Sequence, residues 1–217
     1  MDITPLPAPR TKPRLRGVLH QATFVVCLVA GPILTYQQPA GVRTWAMGVY
    51  LSCLTALFGI SAAYHRPTWQ PKARAWMRRL DHAGIYLQIA GTYTPICLLA
   101  IGGEAGRRLL WLGWIGAAVG IVKSLFWVHA PKPLSALLYV GLGWLVVGEW
   151  TALRAALSLQ NLVLLFAGGV MYTLGAAIYS LKRPDPWPAT FGYHEIFHTL
   201  VVAAAACHFG IVLGLAR

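Results

Sequence analysis

Two histidines four residues apart open the last apolar stretch of the chain, in Tyr193-His194-Glu195-Ile196-Phe197-His198. On an α-helix, positions i and i+4 stand one above the other on the same face. Two imidazoles so placed can close on one metal ion, and the pattern H-E-x-x-H is a zinc signature. The spacing alone is only moderately specific, because any two histidines can fall four apart by chance. The setting sharpens it. Thr199-Leu200-Val201-Val202-Ala203 follows directly, so the pair sits at the mouth of a membrane span, where ionisable residues are costly and mark functional sites.

The elements that position this pair are helices in lipid. The chain has 217 residues, of which 57% are hydrophobic and 11% charged, and its mean hydropathy is +0.59. A soluble domain carries about a quarter charged residues. The composition therefore predicts an all-α, polytopic membrane protein. Seven spans of roughly 20 residues use about 140 residues and leave too little for a separate soluble domain. Apolar runs place these spans over about 18–36, 44–64, 81–101, 109–128, 134–153, 161–181 and 194–215. Residues 18–217 are thus expected to form one seven-helix transmembrane bundle behind a basic, Pro-rich tail, 1–17. The run from Val18 is long enough to span and no A-x-A site follows it, which predicts a retained first helix. Between the second and third spans, Ala73, Trp76, Met77 and Leu80 fall on one helical face opposite Lys72, Arg74, Arg78 and Arg79. Pro71 suits a first helical position, so a short helix in the headgroup plane is expected there.

The net charge of +12 is not a nucleic-acid footprint. The cations cluster between apolar runs, where the positive-inside rule and anionic headgroups account for them, so membrane lipids are the expected partners. With the N-terminus cytoplasmic, thirteen of the eighteen Lys and Arg residues fall inside and the C-terminus lies outside. A multi-pass protein of a cell membrane, of bacterial inner-membrane type, is the matching location. Cys27, Cys53, Cys97 and Cys207 lie in apolar runs without C-x-x-C spacing and read as small buried hydrophobes.

This topology brings further candidates to the histidine pair. The second span ends at His65, the third starts at Asp81 and the seventh starts at His194, all at the same face. Three protein ligands and a water make a catalytic zinc site, whereas structural sites close with four. His65, His194 and His198 are the candidate ligands. Asp81 is placed to hold or deprotonate the water, and Ser61, one turn before His65, to support it. Glu195 lies about 100° round the helix from His194, so Asp81 competes for the role of base. Simpler roles exist for each: Asp81 can cap the third helix or pair with Arg78 or Arg79, and Ser61 can serve helix packing. His208 is about 15 Å beyond His198 along the helix and cannot join it. His20, His82 and His129 are assigned to headgroups, and Glu149 to headgroups or Arg154.

Ser61-Ala62-Ala63-Tyr64-His65, Arg79-Leu80-Asp81-His82-Ala83-Gly84-Ile85-Tyr86 with Ala90-Gly91-Thr92-Tyr93-Thr94-Pro95, and His194-Glu195-Ile196-Phe197-His198 occur in this order. Together they resemble the hemolysin III family, the bacterial branch of the progestin and adipoQ receptor proteins. The resemblance covers nearly the whole chain. It implies seven helices around an intramembrane zinc, with Ser61, His65, Asp81, His194 and His198 as the site. It also implies ceramidase-like hydrolysis of a lipid amide, as in animal relatives, and a link to haemolysis and membrane homeostasis. The chain lacks the large N-terminal region of the animal receptors, so adiponectin or progestin sensing does not carry over. The alternative is a membrane-active hemolysin or receptor-like sensor whose zinc is structural. A third reading, an intramembrane zinc protease, shares H-E-x-x-H but does not account for the His65 and Asp81 pattern. The spans lack polar stripes, which argues against a constitutive channel.

Overall fold

The computed structural model describes residues 12–127 and 129–216. The expected tail over 1–11, with Arg10, and the chain end at Arg217 lie outside the described residues, as does residue 128 at the expected end of the fourth span. Among the described residues there are helices and no strand, only an isolated bridge between Trp187 and Phe191. The helices are α1 (Val18–Tyr36), α2 (Val42–His65), α3 (Pro71–Pro95), α4 (Gly103–Phe126), α5 (Lys132–Trp144), α6 (Trp150–Ala156), α7 (Leu159–Leu181) and α8 (Tyr193–Ala216). They make seven segments long and apolar enough to cross a membrane, because α5 and α6 join through a 3₁₀ turn into one. Consecutive spans pack side by side, and α1 closes the bundle against α8.

The spans end where the expected breakers stand. Pro39 and Gly41 separate α1 from α2, and α2 stops at His65 before Pro67. Gly102 and Gly103 both take positive φ, 61° and 57°, in the turn after the third span, which an L side chain would strain. The third span itself differs from expectation. Pro71 begins a helix that runs without a break to Pro95 and continues as a π-helical stretch over Ile96–Ile101. No separate helix lies between the second and third spans. Residues 72–83 contain neither glycine nor proline, so nothing interrupts the backbone ladder at Asp81. Asp81 is consequently inside α3 and does not cap it. The 31-residue segment is about 46 Å long against a hydrocarbon core of about 30 Å, so one end must emerge from lipid.

Close packing of α3 on α2 fixes the depth of that helix. Gly84 and Gly91, seven residues apart, both face α2: a Cβ at Gly91 would stand 2.6 Å from the Cβ of Cys53, and one at Gly84 3.7 Å from the Cα of Leu57. Small residues at such positions let helix backbones approach in lipid, where van der Waals contact drives association. Tyr50, Phe58 and Met47 of α2 are wholly buried in the same interior.

The fifth span is broken at Leu145–Glu149, and a broken helix in lipid exposes backbone groups that need partners. Tyr93 of α3 supplies them. Its hydroxyl donates toward the carbonyls of Leu142 and Gly143, at 2.7 and 2.8 Å, and accepts from the Val146 N–H at 3.3 Å. At the same end, Glu149, expected to meet headgroups or Arg154, pairs with Arg108 at 2.6 Å. Tyr93→Phe should strand these backbone groups and lower stability by about 1–3 kcal/mol. The check is the melting temperature of the detergent-solubilised protein, which should fall without change in metal content.

Candidate metal centre

His65 is the last residue of α2, and His194 and His198 lie on the first turns of α8. All three are buried, and their ligand nitrogens lie within 4.8 Å of one another. The Nε2 atoms of His65 and His194 are 3.2 Å apart. A tetrahedral zinc with bonds of about 2.0–2.1 Å separates its ligand atoms by roughly 3.3–3.4 Å, so this pair already has the spacing of two ligands of one ion. The rings of His65 and His198 meet edge to face at 5.0 Å. Asp81 comes in from α3, its Oδ2 3.8 Å from His65 Nε2. Side-chain direction explains why these four meet. His65 ends α2 where Asp81 stands just before the packed part of α3, which begins at Ala83, and α8 starts at the same end of the bundle.

Ser61 is buried one turn before His65, as its spacing predicts. Its hydroxyl is 2.9 Å from Nδ1 of His20 and also interacts with the Asp81 carboxyl. It thus stands behind the centre and not among the ligands.

Glu195 occupies the position that is the base in soluble zinc proteases, but both of its oxygens are engaged elsewhere. Oε1 accepts from Arg16 Nε at 2.5 Å, and Oε2 accepts from the backbone N–H of Gly192 at 2.9 Å. The second contact is the helix-capping half of a capping box, in which the third residue of a helix reaches back to the residue before it. Asp185 adds another acceptor, for the N–H of Tyr193 at 3.0 Å. Together they satisfy two backbone donors at the start of α8, beside His194. The segment before α1 locks onto the same place. Arg14 and Leu15 donate backbone hydrogen bonds to Ala189 and Thr190, and the Lys12 ammonium donates to the Arg66 carbonyl at 2.7 Å. Burial against this surface, with Arg66, Arg16 and Arg74 nearby, draws the Lys12 ammonium below its ordinary value. Gly17, at φ 78°, passes over His65 so closely that a Cβ would stand 2.7 Å from the histidine's own Cβ.

A family model described as Haemolysin-III related matches residues 9–209. The chain belongs to the haemolysin-III related family. A protein named Hemolysin-3 from Bacillus cereus is 35% identical over 168 residues, which is 77% of this chain and 74% of that one. A Hemolysin-3 homolog from Bacillus subtilis is 37% identical over 142 residues, 65% of this chain and 64% of its own length. An adiponectin receptor protein from Drosophila melanogaster is 30% identical over 150 residues, 60% of this chain but 33% of the receptor. With seven apolar spans, this haemolysin-III relative is a multi-pass membrane protein, and a bacterial plasma membrane is consistent with it.

The histidine pair, His65, Asp81 and Ser61 meet in this family member, while His82 and His129 stay outside the triad and His129 is exposed. His208 is buried deeper in α8, its Nε2 3.2 Å from the Leu165 carbonyl, as an interior histidine should be. His20 is the residue that sequence reasoning misassigned. It does not face headgroups: it is buried, and its ring stacks on that of His198 with centroids 3.7 Å apart. A signal for it existed, since α1 starts at the same end of the bundle as α8 and a histidine three residues into it shares the depth of His198.

The arrangement of Glu195 predicts a stability role separable from metal binding. Glu195→Gln keeps an acceptor for Gly192 and removes the charge facing Arg16. Metal content should be unchanged while stability falls by about 1–3 kcal/mol. Loss of metal at an unchanged melting temperature would assign Glu195 to the centre instead.

Proposed function

We propose that this protein is a zinc-dependent hydrolase of a membrane lipid amide, with the centre at the cytoplasmic face. The observation that carries the reading is the gathering of three buried imidazoles from α2 and α8 with the Asp81 carboxylate of α3 beside them. An all-nitrogen donor set of three histidines suits zinc and leaves a position open. Thirteen of the eighteen cations belong to the N-terminal segment, the connections and the helix ends on this side, which favours the cytoplasmic side.

His65, His194 and His198 would hold the ion. When bound, zinc lowers the pKa of a water to about 7 and polarises an amide carbonyl. Asp81 would orient that water, accept its proton and later deliver it to the leaving nitrogen. Ser61, which interacts with Asp81, would keep the carboxyl in position. Around them the spans are apolar, so an acyl chain can lie against helix faces while the amide reaches the polar end. The ceramide-like substrate class is what the family resemblance implies, and membrane lipids are the partners it requires.

Metal content of detergent-purified protein and release of fatty acid from ceramide, measured on the same samples, test this. One zinc per chain is expected, lost in His65→Ala and His198→Ala together with hydrolysis. Asp81→Ala should retain zinc and lose turnover. Zinc without hydrolysis of several lipid amides would turn the centre into a structural or sensing site, and a metal-free wild type would refute the histidine assignment.

A further inference from the structure

His20 is the third residue of α1 and is 3% exposed. Three contacts from two other helices hold its ring. One face lies on His198 of α8, at 3.7 Å and 3° from parallel. The edge of Phe58 on α2 approaches at 5.0 Å and 73°. Nδ1 meets the Ser61 hydroxyl, also on α2, at 2.9 Å. Nε2 is buried without a hydrogen-bond partner.

The parallel stack decides what His20 can do. A metal ion binds near the plane of an imidazole ring, along the nitrogen lone pair. An ion in the plane of His198 therefore stands a full ring spacing away from the plane of His20. The two cannot share it, so His20 is not a fourth ligand beside His198. Its contacts instead act on groups that touch the centre. Stacking removes the freedom of the His198 ring to rotate about its terminal torsion, which is otherwise broad. The bond to Ser61 has a preferred sense. With the proton on Nδ1, His20 donates to Ser61 and leaves a bare lone pair at Nε2. The other tautomer would bury an unpaired N–H, and orphaned donors are rarer than under-used acceptors. Ser61 then has its own proton free for the Asp81 carboxyl, with which it interacts.

We propose that His20 is a positioning residue of the metal centre: by stacking it fixes the plane of the ligand His198, and through Ser61 it orients Asp81. The first span thereby organises a site to which it contributes no ligand. This rests on the reading of His65, His194 and His198 as a metal centre.

The test is zinc affinity by chelator competition on the full-length protein, with the absorption spectrum of the cobalt(II)-substituted form as a second readout of ligand geometry. Wild type, His20→Ala, His20→Phe, Ser61→Ala and the His20→Phe/Ser61→Ala double variant are compared. His20→Ala should weaken zinc binding about 10- to 100-fold, as loss of groups orienting metal ligands does, and alter the cobalt spectrum. His20→Phe keeps a ring against His198 and should regain part of the affinity. Ser61→Ala should weaken binding in the wild-type background and cost nothing further beside His20→Phe, because the bond is already gone. Wild-type affinity and spectrum in His20→Ala would overturn the proposal. Where His20→Ala does not yield folded protein, the Phe and Ser61 variants decide: full additivity between them refutes the link. A wild type that binds no metal refutes the metal centre itself, before any variant is compared.

Discussion

The ring nitrogens of His65 and His194 stand 3.2 Å apart in the interior, where a single hydrogen can join them. The contact between His65 and His194 sets conditions on everything around it. α2 must end where α8 begins, the first turn of α8 must be rigid, and α3 must carry its carboxylate to the same depth. The capping of α8 by Asp185 and by Glu195, the Arg16 ion pair and the glycines that seat α3 on α2 all serve these conditions. Three imidazoles with a carboxylate beside them form a donor set that could hold a cation, which would turn this contact into shared ligation.

Much of this was legible in the chain. Hydropathy located five of the seven spans to within three residues, with the third and fourth starting earlier than expected, and the alternation of spans put His65, Asp81, His194 and Ser61 at one end. The exception in the fold was the connector before Asp81. Its amphipathic period resembled a separate interfacial helix, but periodicity does not say whether two helices are joined, and the absence of glycine or proline over 72–83 joined them. Within the site, His20 and Glu195 were read wrongly or left open for a common reason. Spacing describes a residue's neighbours on its own helix. Both residues are defined by partners on other helices, His198 and Ser61 for His20, and Arg16 for Glu195. Those pairings depend on the closure of the bundle, which no local pattern encodes. The partner of Glu149 was missed in the same way, since Arg108 lies on a neighbouring span.

The two ends of the bundle meet the constraint of lipid differently. At one end, ionisable side chains converge on a single point and satisfy one another or a metal. At the other, the break in the fifth span frees backbone groups, and one tyrosine hydroxyl from α3 takes them up. α3 is common to both ends: it carries Asp81 near one and Tyr93 near the other, twelve residues further along the same helix.

The closure of the ring by α1 against α8 has a consequence for biosynthesis. Helices enter a membrane in chain order, so the earlier spans insert while the last is still being made. Until α8 arrives, His20, Ser61, His65 and Asp81 face a gap with no histidine pair to complete them. The polar seam between the first and last spans is therefore sealed only in the final step of assembly, and the protein cannot hold an ion at this triad before it is a whole bundle. A metal held at this point would report that the chain has finished folding.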